Sequence, residues 1–296
     1  MMPWLRLVRL PNLLTVPGDV LLGFWLVGGF GSLNPALLTA TVAGLGIYLL
    51  GLLVNDWVDR DEDRRLRSDR PLARGDIGLG PFFAALGLLW LGSLAALLAT
   101  GLPVLVTGVC LMSLALSYSL FLRRWVWIGL VTLGLCRVGL ILLGALATGA
   151  SPLIPNLALA VGTTFGWIVL VSALARDEVA QEGLRPRFHP HGLAAFILAA
   201  GILWLTVGTF TGELGRVLFS VLGLFLIFQA ARPSARYWAL ARDRPKIIGH
   251  WLGLLILFQT WMILPTASWV TGLAIAAVGT LVWGIRGWLA QTFSAS

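Results

Sequence analysis

The stretch Asn55-Asp56-Trp57-Val58-Asp59-Arg60-Asp61-Glu62-Asp63 sets a dense run of carboxylates at the end of a long apolar segment. A charge at the centre of a bilayer costs roughly 3 kcal/mol or more, so carboxylates closing a membrane segment read as functional by default. On a helix, Asp56, Asp59 and Asp63 stand at i, i+3 and i+7, on one face. Asn55 lies one turn before Asp59. Three carboxylates and an amide on one stripe suit a hard, oxygen-seeking cation. Mg²⁺ takes one or two protein carboxylates, keeps some waters and accepts phosphate oxygens from a substrate. Just beyond come Arg64, Arg65, Arg67, Arg70 and Arg74, and guanidinium groups bind phosphate bidentately. Stripe and arginines together predict a Mg²⁺–diphosphate site at a membrane surface. The plainer reading of the same residues is a solvated charged loop flanking a membrane helix.

These residues need a scaffold, and composition says which kind. The chain of 296 residues is 58% hydrophobic and 11% charged, with a mean hydropathy of +0.90. Soluble domains carry about 25% charged residues, so the expected fold is an all-α polytopic membrane protein, a single domain over 1–296. Thirty-five glycines fit this class, because glycine lets membrane helices approach closely. The net charge of +8 is not a nucleic-acid footprint, since the basic residues fall in short loops between apolar spans. Cys110 and Cys136 sit in apolar runs without metal-ligand spacing.

A helical span needs about 20 apolar residues. Ten candidates read at roughly 13–32, 35–57, 80–99, 102–121, 125–148, 155–175, 192–211, 213–231, 247–264 and 268–290, with nine spans as the alternative. Every Lys and Arg except Arg137, Arg216 and Arg286 then falls on one side, and Arg286 joins that side if there are ten spans. Short basic loops stay in the cytoplasm. Both termini, the charged loops and the candidate site are therefore expected on the cytoplasmic face of a bacterial-type inner membrane. No cleavable signal peptide is evident at the N-terminus.

A second acidic patch closes the sixth span, Arg176-Asp177-Glu178-Val179-Ala180-Gln181-Glu182. Glu178 and Glu182 are i, i+4 and share a face. Alone the patch is a weak signal, equally a solvated helix end. Paired with the first it gains meaning, because two-metal clamps hold ions about 4 Å apart and stabilise a departing phosphate oxygen.

The pattern Asn55-Asp56-x-x-Asp59-x-x-x-Asp63 resembles the first aspartate-rich motif of the UbiA superfamily of intramembrane aromatic prenyltransferases. Arg70-Pro71-Leu72-Ala73-Arg74-Gly75 is similar to the basic turn that follows it. Tyr118-Ser119-Leu120-Phe121-Leu122-Arg123-Arg124 looks like the family's Tyr-Ser-x-x-Leu-Lys-Arg segment, with Arg123 in place of lysine. Glu178-x-x-x-Glu182 falls where the family has a second Asp-x-x-x-Asp. That motif departs from the pattern, with both aspartates replaced by glutamate and with Leu174 and Ala175 one turn earlier. The opening Arg9-Leu10-Pro11-Asn12 and Asp19 also resemble a divergent bacterial UbiA-like branch, the Ebo type.

The resemblance implies a UbiA-like bundle of nine to ten helices with polar loops capping one side. It implies transfer of a prenyl group from a prenyl diphosphate to an aromatic or other lipophilic acceptor, with Mg²⁺ as cofactor. Asp56, Asp59, Asp63, Glu178 and Glu182 would hold the metal, and the three aspartates would be the catalytic set. Arg70, Arg74, Arg123 and Arg124 would neutralise the diphosphate, with Asn55 and Tyr118 as further contacts; an interfacial belt residue is the plainer reading of Tyr118. Arg137, mid-way along the fifth span, must pair or line the cavity, and a cavity position near the diphosphate is favoured. Asp19 is its candidate partner, or else a polar cap. Trp57 would wall the cavity. Beyond substrates and bilayer, no protein partner is readable.

Two rival classes compete. A phospholipid phosphotransferase would need an Asp-Gly pair and a downstream acidic tail, but Trp57 follows Asp56 and no such tail follows. The other rival is a non-catalytic membrane protein that binds or transports an isoprenoid or secondary-metabolite precursor. The degenerate second motif is its main support.

Overall fold

The computed structural model describes residues 2–28, 34–66, 70–179, 190–207 and 244–293, with a few positions between 214 and 229. Among the described residues every regular element is helical. Three short-to-medium helices open the chain: α1 (Met2–Leu7), α2 (Leu10–Leu13) and α3 (Thr15–Gly28). Then come α4 (Pro35–Val58), α5 (Arg60–Leu66), α6 (Pro71–Arg74), α7 (Leu79–Leu98) and α8 (Leu102–Leu120). After a 3₁₀ turn at Leu122–Arg124 follow α9 (Val126–Leu146), α10 (Pro155–Val179) and α11 (Pro190–Val207), and finally α12 (Arg244–Ile263) and α13 (Trp269–Phe293).

Eight segments are long and apolar enough to cross a membrane: α2 and α3 taken together, α4, α7, α8, α9, α10, α12 and α13. The chain is an integral membrane protein. Of the two remaining expected spans, 192–211 corresponds to α11, whose apolar stretch Ala195–Trp204 is shorter. The other, 213–231, lies largely outside the described residues.

Local chemistry sets the long helices. Asn34 is extended and its side chain accepts the Leu37 N–H at 2.8 Å, capping α4, while Pro35 sits at the first helical position where no donor is needed. The same Asn34 side chain donates to the Ala147 carbonyl at 3.3 Å, which ties the start of α4 to the end of α9.

Lipid tails are as apolar as leucine, so these helices associate through close packing rather than through escape from water. The tightest contact is between α3 and α9. A Cβ on Gly23 would collide with the Ile141 carbonyl, and one on Gly144 would collide with the Val20 carbonyl. Around this crossing Val20, Phe24, Ala43, Ile47, Leu140 and Leu143 form one core between α3, α4 and α9. A second core joins α10, α11 and α12, where Trp167 stacks on Phe258 at 4.7 Å between centroids. Helix α12 runs through the middle, with 83% of its spanning window buried, whereas α13 is peripheral at 11%.

Substituting Gly144→Ala is expected to cost about 1–3 kcal/mol, the usual penalty for overpacking, read as a lower melting temperature in detergent. Gly162→Ala, where nothing lies within 4 Å of the added carbon, is expected to cause no loss.

Candidate functional site

Helix α4 delivers the acid stripe. It ends at Val58, but Asp59 keeps helical angles (φ −82°, ψ −8°) and its N–H reaches the Asn55 carbonyl at 3.0 Å. The Asp63 N–H in turn reaches the Asp59 carbonyl at 2.8 Å, so the helical path continues into α5. The side chains of Asp56 and Asp63 are buried, whereas Asp61 and Glu62 are exposed.

Each buried or half-buried carboxylate of the stripe faces a guanidinium. Arg70 donates from Nη1 to Asp63 at 2.8 Å and to Asp56 at 3.4 Å. It is held there by the turn that follows: Pro71 starts α6, and Gly75 ends it in the left-handed conformation (φ 81°), which glycine adopts without steric cost. Leu72 anchors the turn in a small core with Leu7, Leu53, Ile77 and Phe82. Arg123, from the turn after α8, pairs with Asp59, and the Asn55 amide donates to the other Asp59 oxygen at 3.0 Å. Arg9 donates to Asp56 at 3.0 Å. Arg9 occupies left-handed backbone space (φ 47°, ψ 54°), which costs a non-glycine residue roughly 1–2 kcal/mol.

Below the stripe lies a cavity of about 300 Å³. Its wall includes Arg9, Asn12, Tyr48, Asn55, Tyr118 and Arg137. Arg137 is buried and pairs with Asp19 at 2.6 Å, and its guanidinium stands 5.4 Å from the centre of the Tyr48 ring. Asp19 also accepts from Gln259 at 2.7 Å, and the same Gln259 nitrogen donates to the Thr15 carbonyl at 3.1 Å. A carboxylate and a guanidinium deep between helices thus satisfy each other, as a buried charge must.

Some of the expected residues are placed elsewhere. Arg74 is half-exposed and pairs with Asp76 at 3.4 Å, and Arg124 is exposed. Neither joins the stripe. Trp57 does not wall the cavity. One residue past Asp56 on the helix, it points about 100° away and packs on Phe82 and Phe83 of α7, with Arg60 over its ring. Glu178 belongs to the last turn of α10, but its side chain lies outside the described residues, as does all of Glu182. The end of α10 is nonetheless fixed: Arg176 donates to the Arg123 carbonyl at 3.1 Å and to the Val126 carbonyl at 3.2 Å. Arg123 therefore meets the stripe through its side chain and Arg176 of α10 through its backbone.

The stripe supplies only oxygen donors, the kind Mg²⁺ takes. Among the described residues no three His, Cys, Asp or Glu side chains are gathered as a metal site. Guanidinium groups stand among the carboxylates instead, as the positive charge that balances them. The donor chemistry fits the ion, and the arginines mark where a cation is favoured. Sequence reasoning assigned no site role to Arg9, Arg176, Asn12 or Gln259. The available signal is the run Arg9-Leu10-Pro11-Asn12, an arginine just before a helical turn with proline near its start.

Comparison with known proteins gives a consistent picture. The model of the UbiA prenyltransferase family matches residues 19–253. A digeranylgeranylglyceryl phosphate synthase of Methanoculleus marisnigri is 28% identical over 240 residues, covering 77% of this chain and 85% of the relative. Among solved structures, a UbiA homologue from Archaeoglobus fulgidus bound to DMAPP and Mg²⁺ aligns with a TM-score of 0.62 at 16% identity, over 93% of this chain and 99% of that one. An apo UbiA homologue from Aeropyrum pernix aligns at 0.60 with 17% identity, over 85% and 96%. At these identities the structural likeness is one of fold.

Removing the Asp56 charge leaves Arg9 and Arg70 short of a partner in a half-buried setting. Asp56→Asn is expected to lower stability by about 2 kcal/mol, less than the figure for a fully buried pair because both arginines keep some solvent contact. Asp61→Asn, at the exposed Asp61–Arg64 pair, is expected to change it by no more than about 0.5 kcal/mol. Thermal unfolding in detergent separates the two.

Proposed function

This chain belongs to the UbiA prenyltransferase family, and from that premise we propose that it transfers a prenyl group from a prenyl diphosphate to a lipophilic acceptor, with Mg²⁺ as cofactor. The observation that carries the reading is the stripe itself: Asp56, Asp59 and Asp63 on one helical face, each matched to a guanidinium, above a cavity with largely apolar walls. The curated relative is a synthase of a prenylated lipid by name, and the Archaeoglobus homologue holds DMAPP and Mg²⁺. Both lend the reading support.

In this reading Asp56, Asp59 and Asp63 hold metal ions together with Glu178 and Glu182. Mg²⁺ bound there supplies positive charge to the departing diphosphate. Arg70 and Arg123, now paired with the carboxylates, turn to the diphosphate oxygens, and Arg74 and Arg124 add charge at the rim. Tyr118 donates its hydroxyl to the diphosphate, and Asn55 orients Asp59. The allylic C–O bond breaks, its electron pair leaves with the diphosphate, a nucleophilic carbon or oxygen of the acceptor bonds to the freed carbon, and the proton the acceptor gives up passes to the released diphosphate. The isoprenoid lies along Ile47, Leu111 and Leu140, whose apolar surface keeps water from the cation. Arg137, fixed by Asp19, contributes a polar contact to the substrates at depth. The whole chain, 1–296, works as one unit in the inner membrane, with its site toward the cytoplasm, where the basic loops keep it.

Geranyl diphosphate binding to the purified protein, with Mg²⁺ and then with EDTA, tests this. Binding is expected only with Mg²⁺, and to weaken about tenfold or more, roughly 1.4 kcal/mol, in Asp59→Asn, in Asp63→Asn and in the Glu178→Ala/Glu182→Ala pair. Wild-type protein that ignores the ligand across several chain lengths would remove the enzyme reading in favour of the binding or transport one.

A further inference from the structure

Arg286 of α13 is the second deeply buried arginine among the described residues, with 6% of its surface exposed. The first, Arg137, is neutralised by Asp19. Among the described residues no carboxylate meets Arg286. Its Nη2 donates to the Gly249 carbonyl and to the Asn12 side-chain oxygen at 3.3 Å, both neutral, and its buried Nε has no partner among the described residues. A guanidinium held out of water by neutral acceptors keeps its whole charge and much of its desolvation penalty. Its surroundings favour an anion.

The place is shaped for that side chain. Gly249 and Gly253 stand one turn apart on α12, and a Cβ at Gly253 would collide with the guanidinium. Asn12 connects this spot to the end of the bundle that carries the acid stripe, because it also lines the cavity. Two residues further along α13, Trp288 is 62% exposed, the habit of a tryptophan at the membrane–water boundary. The Arg286 partners Asn12 and Gly249 belong to α2 and to the early turns of α12, so Arg286 stands toward that end of the bundle.

We propose that Arg286, with Asn12, forms a second anion site between α2, α12 and α13, and that it takes a phosphate monoester. The planar guanidinium matches phosphate oxygens two at a time, and its unpartnered Nε supplies a donor not yet used. With its oxygen turned to Arg286, the Asn12 amide keeps its N–H donors for the same ligand. The phosphate can come from the headgroup of a bilayer lipid or from a soluble phosphate; the recognising chemistry is the same. This inference does not depend on the prenyl-transfer reading, whose aspartate stripe lies at the end of α4 and in α5.

Titration of the full chain in neutral detergent, followed by tryptophan fluorescence, tests it with three probes: lysophosphatidic acid, lysophosphatidylcholine and inorganic phosphate. Lysophosphatidic acid is expected to bind, and to bind about tenfold more weakly to Arg286→Gln. Lysophosphatidylcholine, a diester with a bulky cation, is expected to bind less well than the monoester. Displacement of the lipid by millimolar phosphate would identify a site for soluble phosphate, and no displacement would identify a lipid site. Gly253→Ala, which keeps the charge but shifts the guanidinium, is expected to weaken binding too, and it carries the test if Arg286→Gln does not fold. Mg²⁺-dependent geranyl diphosphate binding, measured alongside, is expected to be unchanged in Arg286→Gln. Equal lysophosphatidic acid binding in wild type and both variants, its absence in wild type, or an equal loss of geranyl diphosphate binding would overturn the proposal.

Discussion

Arg70 shares one guanidinium nitrogen between Asp63 and Asp56, and the membrane-edge end of the bundle is assembled around that contact. Carboxylates on one helical face lie about 6 Å apart. At an effective dielectric of about 20, each neighbouring pair repels by roughly 2–3 kcal/mol. A helix cannot carry three such charges at a membrane edge unless cations are brought to it. Here they come from separate pieces of chain: Arg9 from the turn before α2, Arg70 from the turn before α6, and Arg123 from the turn after α8. Each ion pair therefore also fastens a piece of the cap to α4. The arrangement that neutralises the acids is the one that closes the roof over the cavity.

Deeper in the bundle the same requirement is met differently. Arg137 and Asp19 have no water to fall back on, so the pair is direct and Gln259 fills another acceptor position on the carboxylate. The cavity thus runs between two levels of charge, a cluster of pairs near the surface and one pair in the interior. Between the two levels the wall is largely apolar and includes Ile47, Leu111 and Leu140.

Much of this was legible in the residues alone. Asp56, Asp59 and Asp63 announce a helical stripe because their spacing is local, and a helix preserves local spacing. The membrane class follows from hydropathy for the same reason. The pairing of those acids does not follow. Arg9 lies 47 residues from Asp56 and Arg123 lies 64 from Asp59, and nothing in a one-dimensional pattern says which of many arginines closes on which acid. Arg74 and Arg70 are equivalent on paper, yet only Arg70 reaches the stripe, because the glycine-ended turn anchored by Leu72 sends the two in different directions. Gln259 was the least legible of all. Its partner is 240 residues away, and an amide in an apolar helix gives no sign of what it will meet.

The contact at Gly23 and Gly144 removes a degree of freedom from the molecule. With each glycine seated against the other helix's carbonyl, α3 and α9 can neither slide past one another nor separate without losing the fit, and they act as a fixed measuring post. Arg137 is mounted on one side of that post and Asp19 on the other, so the depth of the cavity floor is set by backbone geometry and not by side-chain choice. Helix α4 is committed as well, by the acids it carries. What remains adjustable is the opposite lining, which includes Leu111 and Ala115 on α8, Ile168 and Ser172 on α10 and Leu252 on α12. Those positions form the part of the chamber whose volume can change while the charged framework stays where it is.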